Sequence, residues 1–302
     1  MKVKKIDMHV HAIPKRGIPK MSGAFYPTPS ELRRMYDKLG IEKGVLLPPG
    51  TSPEFTTERV SASEARQMTL DFPDTLGWWF CGIDPRFGSN SKNTDFSHYL
   101  NYYKSLGARG VSEQVANIYL DDDRMLNLLY HCEKCNMPIV FHFGKLGNDY
   151  GIVDDLHLPR LEKILKMFPN LKAIGHSVRF WSELDDDVTE ETCNSYPKGK
   201  VRGGGRVLYL MKNYKNLYCD LSSLSGFNAI SRDEEFACEF LTEFNDRVLF
   251  ATDIHDPNNI NHEMVNLSAF LDRLLDEQKI SQTVYENVCR NNALFLLGEN
   301  VR

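Results

Sequence analysis

The stretch Lys5-Ile6-Asp7-Met8-His9-Val10-His11 carries a His-x-His pair at the end of an apolar, β-rich run. Side chains alternate faces along a strand, so this reading puts Asp7, His9 and His11 on one face and Ile6, Met8 and Val10 on the other. The apolar face must pack on something. Polar groups turned into an interior are costly unless they are bonded or coordinate a cation, and two imidazoles at i and i+2 can converge on one metal ion. Two solvated histidines on an edge strand are the competing reading of the stretch taken alone.

Working outward, the same kind of run recurs. Eight β-rich stretches are predicted, at Val3 to His9, Glu42 to Leu47, Thr75 to Ile83, Ala108 to Gln114, Pro138 to Phe143, Leu171 to His176, Leu217 to Leu221 and Arg247 to Asp253. Helical patterns lie between them: from Ser30 to Leu39-Gly40, Asp95 to Gly107, Asp122 to Asn136, Pro159 to Phe168, Gly205 to Asn216 and Asp233 to Asn245. Each opens on a capping residue or Pro and closes near Gly, Asn or Pro. Strands alternating with helices imply parallel pairing through crossovers, and eight strands imply closure into an α/β protein of the (β/α)8 TIM-barrel class. Two more helices are expected from about residue 263 onward. No linker rich in Gly, Ser or Pro divides the chain, so residues 1–302 read as one domain. The polar segment 181–206 is expected to form a loop over one mouth of the barrel, as a lid or as a solvated insertion.

The 302 residues are 42% hydrophobic and 25% charged, the balance of an ordinary globular protein able to bury a large core. A net charge of -5 excludes a main role in holding nucleic acid, which demands a basic surface. No apolar run reaches the roughly 18 residues of a membrane span, and the N-terminus enters the first strand without a signal-type stretch, so a cytoplasmic protein without a membrane partner is expected. Seven scattered cysteines fit a reducing compartment, with Cys132 and Cys135 read as helix and helix-end residues. The expected partner is a small molecule. A homo-oligomer is compatible with the sequence.

Active sites of barrels form at the C-terminal ends of the strands. There the first strand offers His9 and His11, the fourth Glu113, the fifth His142, the sixth His176 and the last Asp253. Four of the nine histidines fall at such ends, which turns the opening pair into candidate metal ligands. His142 and Asp253 join them as candidate ligands. His176 reads as a second-metal ligand, a substrate contact or a polarising group, and Glu113 points into the pocket as a ligand or outward as a surface residue.

At this point the chain resembles the amidohydrolase superfamily, in particular the branch that contains aminocarboxymuconate semialdehyde decarboxylase. The matching stretches are Asp7 to His11, Pro138 to His142, Leu171 to His176, Asn216 to Ser222, Arg247 to Asp253 and Asn292 to Gly298. The resemblance implies a barrel holding a divalent metal through His9, His11, His142 and Asp253, with His176 beside it. Glu113 departs from many members of that branch and is similar to the bridging carboxylate of two-metal hydrolases, so one ion or two are compatible. Zinc is the first expectation, and manganese or iron also suits such ligands.

The implied chemistry is hydrolysis of an amide, lactone or ester by a metal-activated water, with Asp253 as the catalytic proton acceptor and His176 stabilising charge. A metal-dependent decarboxylase of a small carboxylated substrate is the alternative. A non-catalytic metal-binding barrel is the third reading. Arg86, Lys145, Arg179 and His255, with Trp181 beside Arg179, are candidate contacts for an anionic substrate.

Overall fold

A computed structural model of the chain describes residues 1–54, 58–147 and 150–300. Nine strands run in the order β1 (Lys5–Val10), β2 (Ile41–Leu46), β3 (Leu76–Cys81), β4 (Ala108–Gln114), β5 (Ile139–Gly144), β6 (Ile152–Val153), β7 (Ala173–His176), β8 (Leu217–Asp220) and β9 (Val248–Leu249). All pair in parallel, each with the next, except that the short β6 branches off β5. The outer helices are α1 (Pro29–Leu39), α2 (Ala62–Asp71), α3 (Phe96–Ser105), α4 (Asp123–Lys134), α5 (Pro159–Met167), α6 (Val178–Ser182), α7 (Arg206–Asn213), α8 (Ser223–Ser231) and α9 (Glu234–Glu243). A terminal group follows, with α10 (Leu267–Asp276), α11 (Gln282–Glu286) and α12 (Asn292–Leu296). The expected TIM-barrel class is what forms.

Closure is made beyond the short β9. The amide of Met8 donates to the Phe250 carbonyl (3.1 Å), Asp253 to His9 (2.8 Å) and His11 to Ile254 (3.0 Å), sealing β1 against the last strand. The barrel interior is filled by Ile6, Met8, Val45, Phe80, Val140, Ile174, Leu249 and Ala251, and α12 stops its lower end with Ala293, Leu296 and Leu297. The alternate residues of the same strands, such as Leu46, Phe141 and Val248, pack outward against the helices.

One expectation about β1 is corrected. Ile6 and Met8 belong to the interior set, whereas Asp7 is turned the other way, toward α1. The pairing register of β1 with β2 shifts between Asp7 and Val10, so the strict alternation that would group Asp7 with His9 breaks there, and His9 and His11 turn inward above Met8. Asp7 is fully buried and accepts four hydrogen bonds, from the His9 amide (3.1 Å), the Thr252 amide (2.9 Å), the Thr252 hydroxyl (2.6 Å) and the Tyr36 phenol (2.7 Å). Burial pushes its carboxyl up to about 6 while those four donors pull it back. It pins α1 and the last strand to β1. Gly44 leaves room for the phenol, since a Cβ there would lie 2.2 Å from the Tyr36 oxygen.

Other boundaries also move. Helices α2 and α8 form where none is expected, and the second terminal helix is interrupted by a π turn at Asn287–Asn291. The segment 181–206 opens with the end of α6 and is partly built into the fold. Leu184 and Cys193 are buried, the buried Asp185 pairs with Arg232 (2.6 Å), and Asp185 also accepts from the Arg202 amide (2.7 Å). All seven cysteines are free thiols. Among the described residues no helix is long and apolar enough to cross a membrane.

Replacing Tyr36 by Phe removes one charge-assisted donor from Asp7 and leaves the ring in place. We expect a loss of about 1.5–3 kcal/mol of unfolding free energy, read from the shift in urea midpoint. A shift below about 0.5 kcal/mol would show that the Asp7 junction does not hold the seam.

Candidate metal centre

Strand parity delivers most of the site. His142 lies two residues beyond Val140 on β5, His176 two beyond Ile174 on β7, Asp220 two beyond Tyr218 on β8 and Asp253 two beyond Ala251, and each of those lower residues belongs to the interior set. A side chain two residues further along a strand points the same way, so His142, His176 and Asp220 reach the upper end of the barrel, whereas Asp253 lies past the end of β9 and is placed by the bond of its amide to the His9 carbonyl. His9 and Glu113 arrive differently. Parity would send Glu113 outward with Val111, but the register of β4 with β5 shifts between Val111 and Gln114. Irregularities that re-aim one side chain recur beside functional sites.

Four imidazoles share one pattern. The Nδ1 of His9 donates to Asp220 Oδ2 (3.0 Å), that of His11 to the Leu47 carbonyl (2.7 Å), that of His142 to Glu113 Oε1 (2.6 Å) and that of His176 to Asp220 Oδ1 (3.0 Å). Carbonyl and carboxylate oxygens only accept, so in each ring the proton is held on Nδ1 and Nε2 is the nitrogen left to bind. This is the outer support that metal-binding histidines need. The rings of His9 and His176 lie 4.6 Å apart, and those of His142 and His176 5.1 Å apart.

The Nε2 atoms of His9 and His11 face each other at 3.2 Å, and Asp253 Oδ1 lies 3.4 Å from His11 Nε2 and 3.9 Å from His9 Nε2. Two nitrogens at that spacing, each at a bond length of ~2.1 Å, subtend an angle of about 100° at a shared ion, close to what tetrahedral and octahedral sites require. Glu113 approaches from the other side, Oε2 at 3.7 Å from His11 Nε2 and Oε1 at 3.7 Å from His176 Nε2. The donors form two overlapping groups able to hold a cation, His9 with His11 and Asp253, and His9 with Glu113 and His176. Both use His9, and its Nδ1 is committed to Asp220. A single Nε2 lone pair serves one ion.

The electrostatics follow from crowding ionisable groups out of water. Burial disfavours charge on His9, yet Asp220, Glu113 and Asp253 outweigh it and raise the imidazole to about 10. Burial likewise opposes charge on Glu113, but the neighbouring His142, His9 and His11 draw its carboxyl down to about 2. Asp253 is held well below the usual carboxylate range, with His255 and His11 prevailing over desolvation. The negative charge that Asp220, Glu113 and Asp253 gather around the facing Nε2 atoms suits a divalent cation in the same place. Asp253 itself sits at a φ of 56°, a left-handed conformation uncommon outside glycine. The seam fixes it there through the His9 carbonyl.

Residues 6–298 match the sequence model of a family described as amidohydrolase. The chain belongs to the amidohydrolase family. As a member of it, the protein is an enzyme. Solved structures share the fold at low identity. An amidohydrolase from Burkholderia multivorans with bound zinc is 10% identical, with 99% of this chain and 100% of that chain covered at a TM-score of 0.64. A dihydroxybenzoic acid decarboxylase from Polaromonas sp. JS666, with bound manganese and an inhibitor, is 14% identical, with 99% and 97% covered at 0.53. A probable 2-pyrone-4,6-dicarboxylic acid hydrolase from Acinetobacter baumannii with citric acid bound is 14% identical, with 98% and 100% covered at 0.55. No curated protein matches this amidohydrolase.

The remaining candidates are distributed unevenly. His255 lies at the mouth, its Nδ1 donating to the Asp253 carbonyl (2.6 Å). Arg86 is clamped by Asp84 and Glu54 at 2.6–2.8 Å. The buried Arg179 donates to Cys193 Sγ (2.8 Å) and the Asp154 carbonyl (3.3 Å), and Trp181 gives its indole N–H to the Asp220 carbonyl (3.1 Å). Lys145 is exposed on the loop after β5. Asp220, which orients two imidazoles at once and also accepts from the Ser222 hydroxyl (2.6 Å), is not among the sequence candidates. Its position carries a signal, because it lies one residue before the end of the seventh predicted strand.

Asp220→Asn keeps the shape but removes the charge that both Nδ1–H groups face. Zinc affinity is expected to fall about 10–100-fold, measured by competition with a chromophoric chelator; unchanged affinity would make Asp220 a packing residue. Elemental analysis of the wild type should give one equivalent of divalent metal, and two equivalents would put Glu113 between a pair of ions.

Proposed function

We propose that this amidohydrolase is a metal-dependent hydrolase of a small carbonyl substrate, an amide, lactone or ester, with the ion held by His9, His11 and Asp253 and with Glu113, His142 and His176 around it. The observation that carries this reading is the facing pair of Nε2 atoms at 3.2 Å with Asp253 beside both. The all nitrogen and oxygen donor set suits zinc first, and manganese or iron as well. Solved structures of the same fold with zinc or manganese support that choice. When bound, a divalent cation polarises a substrate oxygen and lowers the pKa of a coordinated water from 15.7 to about 7.

The protein groups supply the rest. Asp253, ionised and turned toward the two imidazoles, is the acceptor for the proton that water loses on attack, and it returns that proton to the departing nitrogen or oxygen. His255 steadies Asp253 from the solvent side, its ring lying 3.5 Å from Oδ1. Burial opposes charge on His176, locked by Asp220 and Ser222, yet the charge of Asp220 raises it above the ordinary imidazole value, and in its protonated form it turns an Nε2–H to the charge that grows on the carbonyl oxygen. Non-oxidative decarboxylation is the second reading. In it the bond from the substrate carbon to its carboxylate breaks, carbon dioxide leaves, and the carbon takes up a proton that Asp253 relays from water; a decarboxylase stands among the proteins of this fold.

The test strips the chain with a chelator, reloads it with zinc or manganese, and runs lactone, ester and amide panels beside carboxylated phenols monitored for carbon dioxide. Hydrolysis that returns with metal is expected. Asp253→Asn should lower kcat by about 10²–10⁴-fold. Carbon dioxide release without hydrolysis would replace the first reading by the second.

A further inference from the structure

The fold brings the ammonium of Lys20 toward the metal centre. It lies in the loop between β1 and α1, whose base is closed by the Ile13 amide on the Pro27 carbonyl (3.0 Å). Two further backbone bonds fix its own turn, Lys20 N to the Ala24 carbonyl (2.8 Å) and Gly23 N to the Lys20 carbonyl (2.8 Å). Its side chain is half-buried. The Nζ donates to the His255 carbonyl (2.7 Å) and rests 4.0 Å above the centre of the Tyr26 ring, which in turn meets His11 edge-on at 6.0 Å. Tyr196, in the segment after α6, is also within reach of the Asp253 charge.

The ammonium has three donors and gives one to a neutral carbonyl. Among the described residues no carboxylate lies within ion-pair distance of it, although the charges of Asp253 and Asp256 reach it. A cation partly removed from water and lacking a close counter-ion is costly. Binding of a metal by Asp253 would take up one of those two charges. What then remains beside the ion is an ammonium with two open donors, resting on the face of Tyr26.

We infer that Lys20 is the specificity-determining residue that receives a carboxylate of the substrate beside the metal centre. The inference rests on the function proposed above and adds the substrate class, small organic acids whose carboxylate is held by Lys20 while the reacting group faces His9, His11 and Asp253.

The experiment uses the full-length zinc-loaded protein with benzoate and its neutral isostere benzamide as probes, followed by ligand-observed NMR titration. Lys20→Met keeps the apolar stem over Tyr26 and removes the charge, and Lys20→Arg restores it. Benzoate affinity should fall at least tenfold in Lys20→Met, about 1.4 kcal/mol, and stay within about threefold in Lys20→Arg. Benzamide should bind all three proteins alike. Equal benzoate affinity in the wild type and Lys20→Met, or no benzoate binding to the wild type, overturns the assignment. An equal loss of benzamide does so too, because it would mark a loop that has merely collapsed. Metal content separates the two levels. A wild type that holds zinc while Lys20→Met is silent sinks only the role of Lys20, and a wild type that takes up no metal sinks the function on which it rests.

Discussion

The seam between the first and last strands is the constraint on which everything else rests. His9 and Asp253 stand 244 positions apart in the chain, and one hydrogen bond from the Asp253 amide to the His9 carbonyl makes them neighbours. The same seam holds Asp253 in its left-handed conformation and gives Asp7 two of its four donors. A carboxylate with no water around it cannot tolerate lost partners, so Asp7 makes closure close to all-or-none. Metal site and barrel therefore form together.

Above that seam, Asp220 organises the chemistry by division of labour within each ring. It binds the inner nitrogens of His9 and His176 and fixes which nitrogen faces the cavity. Leu47 and Glu113 do the same for His11 and His142. The four rings thus become directional donors without touching a ligand. Two of these supports are charged, which makes the imidazoles stronger bases than a carbonyl partner alone would.

The class of the fold was readable because its signals are periodic. Apolar runs at regular spacing and capped helices between them are local features, and strand ends follow from them. Asp253, His142 and His176 were legible for that reason. Asp7 and Glu113 were harder, since both depend on register shifts that no alternation pattern announces. Asp220 had a strand-end position but no neighbour in sequence to mark it. Arg179 and Trp181 looked available because they follow a strand, yet α6 folds them back into packing against Cys193 and the Asp220 carbonyl. Lys20 and Tyr196 sit in aperiodic loops, where proximity to Asp253 is purely a tertiary fact.

The stopper formed by α12 has a kinetic consequence. With Ala293, Leu296 and Leu297 filling the lower end beneath an apolar layer, the barrel is closed from below among the described residues. Substrate entering and product leaving must use the same upper opening, past the loop of Lys20 and the segment of Tyr196. Traffic is then sequential: each turnover waits for the vestibule to clear before the next substrate can enter.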